Sequence, residues 1–197
     1  MEYAVFETLF ILLFCIFIFI FVNKIIEDNA NKKFWSKPIK NFPFHYRGKT
    51  LWYSRSVAVT LLAFAKDKEG KLYVLANKRG KGCPDYNGYW NLESGYLDFN
   101  STGEDHAVRE CKEETGIDVN PKDLEMIGVS TSPTENKQNV SIRYRTMLPK
   151  TIDEYTFDLS NMEKDEVEDV KFIPIDEVEN YEWAFNHKNI ILENLPK

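Results

Sequence analysis

Residues 95–117 read GYLDFNSTGEDHAVRECKEETGI, and this stretch decides the fold. Glu110, Glu113 and Glu114 stand at spacings i, i+3 and i+4, so a helix here projects all three carboxylates from one side. Each such like-charged pair costs a free helix roughly a few tenths of a kcal/mol, a penalty that a bound divalent cation offsets. Oxygen-only ligands suit Mg²⁺ or Mn²⁺. Zinc is disfavoured, because His106 and Cys111 do not fall with these carboxylates into zinc-site spacings. Ser101 with Glu104, and Thr102 with Asp105, each approximate the S/T-x-x-E capping pattern, which starts the helix near residue 102. Ala107, Val108 and Cys111 give it an apolar stripe, and Gly116 stands where a left-handed residue ends it.

The same residues follow the pattern G-x5-E-x7-R-E-U-x-E-E-x-G-U, with U apolar, and so the segment resembles the Nudix box of diphosphate hydrolases. Gly95, Arg109, Glu110, Cys111, Glu113, Glu114, Gly116 and Ile117 fall in register. Ser101 replaces the first glutamate of the pattern, and Ser94 stands where a glycine often precedes Gly95. The resemblance implies that Glu110, Glu113 and Glu114 hold the metal, that the Gly95 carbonyl joins them, and that Arg109 orients the glutamates. It also implies that the missing glutamate at 101 belongs to the network around the metal, which bears on metal count or rate.

Outward from the box, residues 56–65 (SVAVTLLAFA) and 71–76 (KLYVLA) are β-rich runs separated by the turn-prone residues 67–70, which predicts a hairpin. Gly80, Gly82, Pro84, Asn87 and Gly88 punctuate a loop leading through Trp90 to Gly95. Residues 125–130, 139–147 (NVSIRYRTM) and 167–173 read as further strands, and 183–195 as a closing amphipathic helix with Phe185, Ile190, Ile191 and Leu195 on its core side. Strands on both sides of a central helix, with a terminal helix after them, agree with the α/β/α sandwich with a mixed sheet that the resemblance implies.

The amino-terminal region differs in kind. Residues 9–22 read LFILLFCIFIFIFV without a charge, and from Tyr3 about 20 residues are available to span a hydrocarbon core of about 30 Å. The expectation is a transmembrane anchor over 1–23, a juxtamembrane linker over 24–50 and a Nudix hydrolase domain over 51–197. A cleavable signal peptide calls for a basic start and a small-residue exit, whereas this chain opens with Glu2 and Glu7 and leaves the run through Val22, Asn23 and Lys24. A buried helix is disfavoured by the wholly apolar run. Lys24, Lys32, Lys33, Lys37, Lys40, Arg47 and Lys49 follow the run, and no basic side chain precedes it, so the carboxy-terminal domain is expected in the cytoplasm. The same basic stretch is a candidate contact for membrane lipid head groups. Residues 28–50 show neither helical nor strand periodicity and contain Pro38 and Pro43, although Phe34, Trp35, Phe42 and Phe44 are many aromatics for a solvated tether.

A net charge of -6 and a pI near 5.2 argue against polymeric nucleic acid as a partner. Cys15, Cys83 and Cys111 form no CxxC pair, which fits a reducing compartment. The resemblance implies a metal-dependent hydrolase acting on a nucleoside diphosphate linked to another moiety. The segment around Pro133, GVSTSPTENKQNVSIRY, is similar to ADP-ribose pyrophosphatases and brings forward ADP-ribose or a nucleotide sugar. Glu166 and Glu168 are both candidates for the general base, beside the alternative that they belong to a solvated acidic loop. Lys78 and Arg79 are candidate phosphate contacts, and Tyr86, Tyr89 and Trp90 candidate base-stacking residues, though solvated strand-end charges and core or loop packing are the commoner roles for such residues. His106 and His187 lack matching metal partners and are expected to pack or to face solvent. A second functional reading keeps the fold without the chemistry, as a nucleotide-binding Nudix-like module at the membrane, with Ser101 the residue that favours it.

Overall fold

The computed structural model describes residues 18, 22–24, 41–134, 138–160 and 165–196. The apolar run expected to anchor the chain lies largely outside them; among the described residues no helix is long and apolar enough to cross a membrane.

The chain divides into two units, residues 1–54 and 55–197. Within the first, β1 (Phe42–Tyr46) and β2 (Lys49–Tyr53) form an antiparallel hairpin. This departs from the structureless linker expected up to residue 50. Arg47 and Gly48 both take positive φ, 48° and 74°, the backbone of a tight hairpin turn, and Phe42 stacks on Tyr53 with ring centroids 5.0 Å apart. Pro43 misleads because it is tolerated here, in a two-stranded ribbon. With β2 paired to β1, the boundary falls at 54/55 rather than 51.

The second unit is built on β3 (Ser56–Lys66), whose run SVAVTLLAFA is apolar almost throughout because both of its faces are covered. Val59, Leu61, Ala63 and Ala65 point to one core; Leu62 and Phe64 point to the other. β4 (Leu72–Arg79) returns antiparallel to β3 after the turn at 67–70. Then come β5 (Trp90–Asn91), which pairs with β4, and β6 (Glu93–Tyr96), which pairs with β3. The box helix α1 spans Gly103–Thr115, and its Ala107 and Cys111 seal the first core. β7 (Glu125–Ser130) pairs with β8 (Asn139–Thr151), and β8 runs parallel to β3, which makes the sheet mixed. β9 (Val167–Pro174) closes on β4. A short helix α2 (His187–Glu193) lays Ile190 and Ile191 on the opposite core, completing helix, sheet and helix.

The closing helix is shorter than the expected 183–195. Trp183 instead forms a parallel bridge to Trp90 and donates its indole N–H to the Val178 carbonyl at 2.8 Å. Phe185 takes φ 54°, outside helical geometry, and is 43% exposed rather than on the core side.

Candidate active site

Helix α1 is capped by Thr102, whose hydroxyl accepts the Asp105 amide at 3.1 Å, while Ser101 bonds through its own amide to the Asp98 carbonyl. Its carboxy-terminal stop is Gly116 at φ 79°, where a Cβ would fall 2.3 Å from the Asp158 backbone nitrogen. These two ends fix which faces the helix turns to the sheet. Ala107, Cys111, Glu114 and Thr115 go inward, and Glu110 and Glu113 line a cleft of about 590 Å³.

β6 supplies the opposite wall. Gly95 pairs with Val59 on β3, and a Cβ at residue 95 would lie 2.4 Å from the Glu110 carboxyl carbon, so only glycine lets that carboxylate pack on the strand. Glu114 turns under the strand, where its Oε2 accepts Asn77 Nδ2 at 2.9 Å and the Ser94 amide at 3.2 Å. Arg109 donates from Nη1 to Asp98 Oδ2 at 2.7 Å, and its Nη2 lies 2.7 Å from His106 Nδ1 and 3.4 Å from Glu110 Oε1.

The acids crowd one another. Burial, with Glu113 next, pushes the Glu110 carboxyl up to about 7. Burial also pushes Glu114 well above the usual carboxylate range, followed by repulsion from Glu93, Glu110 and Glu166. Glu93 is wholly buried on β6, where burial raises it well above its ordinary value, and neither of its oxygens has a hydrogen-bond partner among the described residues. A buried group of acids without a compensating cation calls for a positive charge. In donor type and charge the group fits a hard divalent cation. In this arrangement, however, among the described residues no three His, Cys, Asp or Glu side chains lie close enough together to hold an ion.

Of the two carboxylates weighed as general base, Glu166 lines the cleft, whereas Glu168 turns away to Lys78 at 2.7 Å. The structure therefore separates two residues that their proximity in sequence left equivalent. Arg79 also reaches the cleft, held by Asp85 at 2.8 Å and lying over the Phe185 ring at 5.3 Å. Trp90 is buried and meets Tyr181 edge-on, so it packs; Tyr86 is exposed and contacts Phe185 at 4.7 Å.

Both histidines are buried rather than solvated. His187 accepts the Leu92 amide on Nδ1 at 3.0 Å, and burial with Arg79 and Arg143 nearby lowers it to about 3, leaving a neutral ring in the cleft wall. Sequence reasoning missed Asp98, Glu93 and Arg143 as members of this region. Glu93 stands opposite Leu61 on β6, a strand where the sequence reads as a loop leading to Gly95.

The NUDIX domain family model matches residues 54–193. The chain belongs to the Nudix family of hydrolases. No curated protein matches it in sequence. Among solved structures it is similar to a MutT/nudix family protein from Enterococcus faecalis, with TM-score 0.58 and 19% identity over 84% of this chain and 66% of that one. It is also similar to the NUDIX domain of Shewanella oneidensis NrtR complexed with ADP ribose, with TM-score 0.57 and 19% identity over 72% of this chain and 86% of that one. A bifunctional NMN adenylyltransferase/ADP ribose pyrophosphatase from Francisella tularensis, complexed with AMP and a Mn ion, gives TM-score 0.59 and 18% identity. That match covers 87% of this chain and 45% of the Francisella protein. At these identities the likeness is one of fold.

Proposed function

We propose that the protein is a metal-dependent hydrolase that cleaves the diphosphate of a nucleoside diphosphate linked to another moiety, with ADP-ribose or a nucleotide sugar as the substrate class. The observation that carries this reading is the cleft that Glu110, Glu113 and Glu166 line beside Gly95, in a family that hydrolyses diphosphates. Glu110, Glu113, Glu114 and the Gly95 carbonyl would hold Mg²⁺ or Mn²⁺. When bound, such an ion neutralises phosphate oxygens and makes water more acidic.

The chain's own residues do the rest. Arg109 fixes Glu110, while Arg79 and Arg143 present positive charge to the diphosphate from the cleft wall. Glu166 accepts a proton from water as the water oxygen bonds to one phosphorus. The bond from that phosphorus to the bridging oxygen breaks, and the departing phosphate keeps the electron pair. ADP-ribose is supported by the Shewanella domain complexed with it and by the Francisella pyrophosphatase, both similar in fold.

The test is a panel of nucleoside diphosphate derivatives incubated with the full chain, with and without Mg²⁺, scored for nucleoside monophosphate release. Release that requires Mg²⁺ and is abolished by Glu114→Gln is expected. Ligand binding without release, unchanged by that substitution, would instead establish the second reading, a nucleotide-binding module without turnover. Ser101, and the absence of three converging metal-ligand side chains among the described residues, are what favour that alternative.

The membrane anchor over 1–23 and a cytoplasmic domain are part of the same proposal and rest on the apolar run and the basic residues after it. Retention on membranes through a high-salt wash is the expected result, and release by salt alone would remove the anchor.

A further inference from the structure

Arg109 has three partners, and their order along the chain of contacts carries more than an ion pair. Its Nη1 donates to Asp98 Oδ2 at 2.7 Å, and its Nη2 stands 2.7 Å from His106 Nδ1. A guanidinium has donors and no acceptor, so His106 Nδ1 must be the acceptor and the ring proton must sit on Nε2. That nitrogen lies 3.2 Å from Glu110 Oε1 without hydrogen-bonding to it, while Arg109 Nη2 reaches the same oxygen at 3.4 Å. His106 is 1% exposed, which restricts the ring to the site where these contacts are made.

We propose that Asp98, acting through Arg109, is a positioning residue that sets the Glu110 carboxylate for the metal. The polarity of the relay is fixed at every link. The Asp98 carboxylate accepts from Arg109, and Arg109 in turn donates to His106 Nδ1 and to Glu110 Oε1. Without Asp98 the guanidinium loses the acceptor that fixes its plane, and swings toward Glu110 or solvent. His106 then loses the donor that fixes its tautomer, and the guanidinium no longer holds Glu110 Oε1 in one place. Groups that orient metal ligands in this way typically change affinity or activity by about 10–100-fold when removed.

Two features make Asp98 the informative position. It is an exposed loop residue, its side chain 61% accessible, so changing it perturbs no core packing. It also lies in the turn whose Ser101 amide bonds to the Asp98 carbonyl, at the place where the box pattern has a glutamate and this chain has serine. The carboxylate for Arg109 thus comes from three residues earlier in the same turn.

The inference rests on the metal site proposed above, and its test separates the two. Mn²⁺ binding by the full chain is followed by electron paramagnetic resonance for the wild type, Asp98→Asn and Asp98→Glu, together with thermal melting. Asp98→Asn should bind Mn²⁺ roughly tenfold more weakly at an unchanged melting temperature. Asp98→Glu should stay near the wild type, because the charge and acceptor are kept. In turnover, the Mg²⁺ activation constant should rise in Asp98→Asn while KM for the diphosphate substrate at saturating Mg²⁺ holds. Wild-type Mn²⁺ affinity in Asp98→Asn overturns the relay and leaves the metal site standing. A wild type that takes up no Mn²⁺ overturns the metal site and the relay with it.

Discussion

Gly95 and Glu110 occupy one another's space: a Cβ on residue 95 would stand 2.4 Å from the Glu110 carboxyl carbon and 2.6 Å from each of its oxygens. Strand and helix meet here with a carboxylate where a side chain would otherwise be. Gly95→Ala should therefore displace Glu110 and lower Mg²⁺-dependent turnover by about two orders of magnitude or more, since disturbing a ligand directly costs at least as much as disturbing its support. A Gly95→Ala enzyme with wild-type kcat/KM would show that Glu110 need not sit where it does.

The pH dependence has a definite sign. Burial, then Glu113, raises the Glu110 carboxyl from 4.5 to about 7, so the metal-free fold holds a proton there that the unfolded chain releases. That contribution to stability is complete below 4.5 and is lost as pH rises through about 7. Melting temperature without metal should fall between pH 5 and pH 8, and millimolar Mg²⁺ should raise it most at the alkaline end, where the carboxylate is free to bind. A melting temperature that rises from pH 5 to pH 8 in EDTA would contradict the assignment.

Glu166 and Glu168 differ by two positions and should differ widely in effect. Glu166 lines the cleft and Glu168 is paired with Lys78. Removing a general base costs roughly 10²–10⁴-fold in rate, so Glu166→Gln should lose kcat on that scale and Glu168→Gln almost nothing. Equal losses in steady-state kinetics would return both residues to the solvated acidic loop.

Gly116 tests the architecture rather than the chemistry. It holds φ 79°, and a Cβ would meet the Asp158 backbone nitrogen at 2.3 Å. Left-handed backbone costs a residue with a side chain about 1–2 kcal/mol, and the overlap adds to it, so Gly116→Ala should lower the urea midpoint with little change in slope. An unaltered midpoint would mean that the end of α1 is not held as described.

What the sequence made legible was what local physics writes into consecutive residues. The run of β3 is apolar because both faces are covered, and α1 announces itself by a cap at Thr102, a stripe through Ala107 and Cys111, and a stop at Gly116. Helical spacing put Glu110, Glu113 and Glu114 on one side of α1, but it does not report that Glu110 and Glu113 face the cleft while Glu114 turns under β6. The hairpin at 42–53 was hidden by Pro43 and by the dominance of the apolar run before it. Residues 183–186 were misread because amphipathic spacing does not report the bridge from Trp183 to Trp90 or the positive φ of Phe185. His106 was expected to pack or to face solvent, and nothing in the sequence singled out Asp98. Their meeting at Arg109 depends on a loop curling back beside its own helix, which no spacing rule encodes.

The central claim concerns one ion among these acids. Anomalous diffraction from crystals grown with Mn²⁺ tests it directly. The account predicts a peak beside the carboxylate oxygens of Glu110, Glu113 and Glu114 and the Gly95 carbonyl. A map with no peak beside those residues, from crystals that diffract well and hold Mn²⁺ in their solvent, would contradict it.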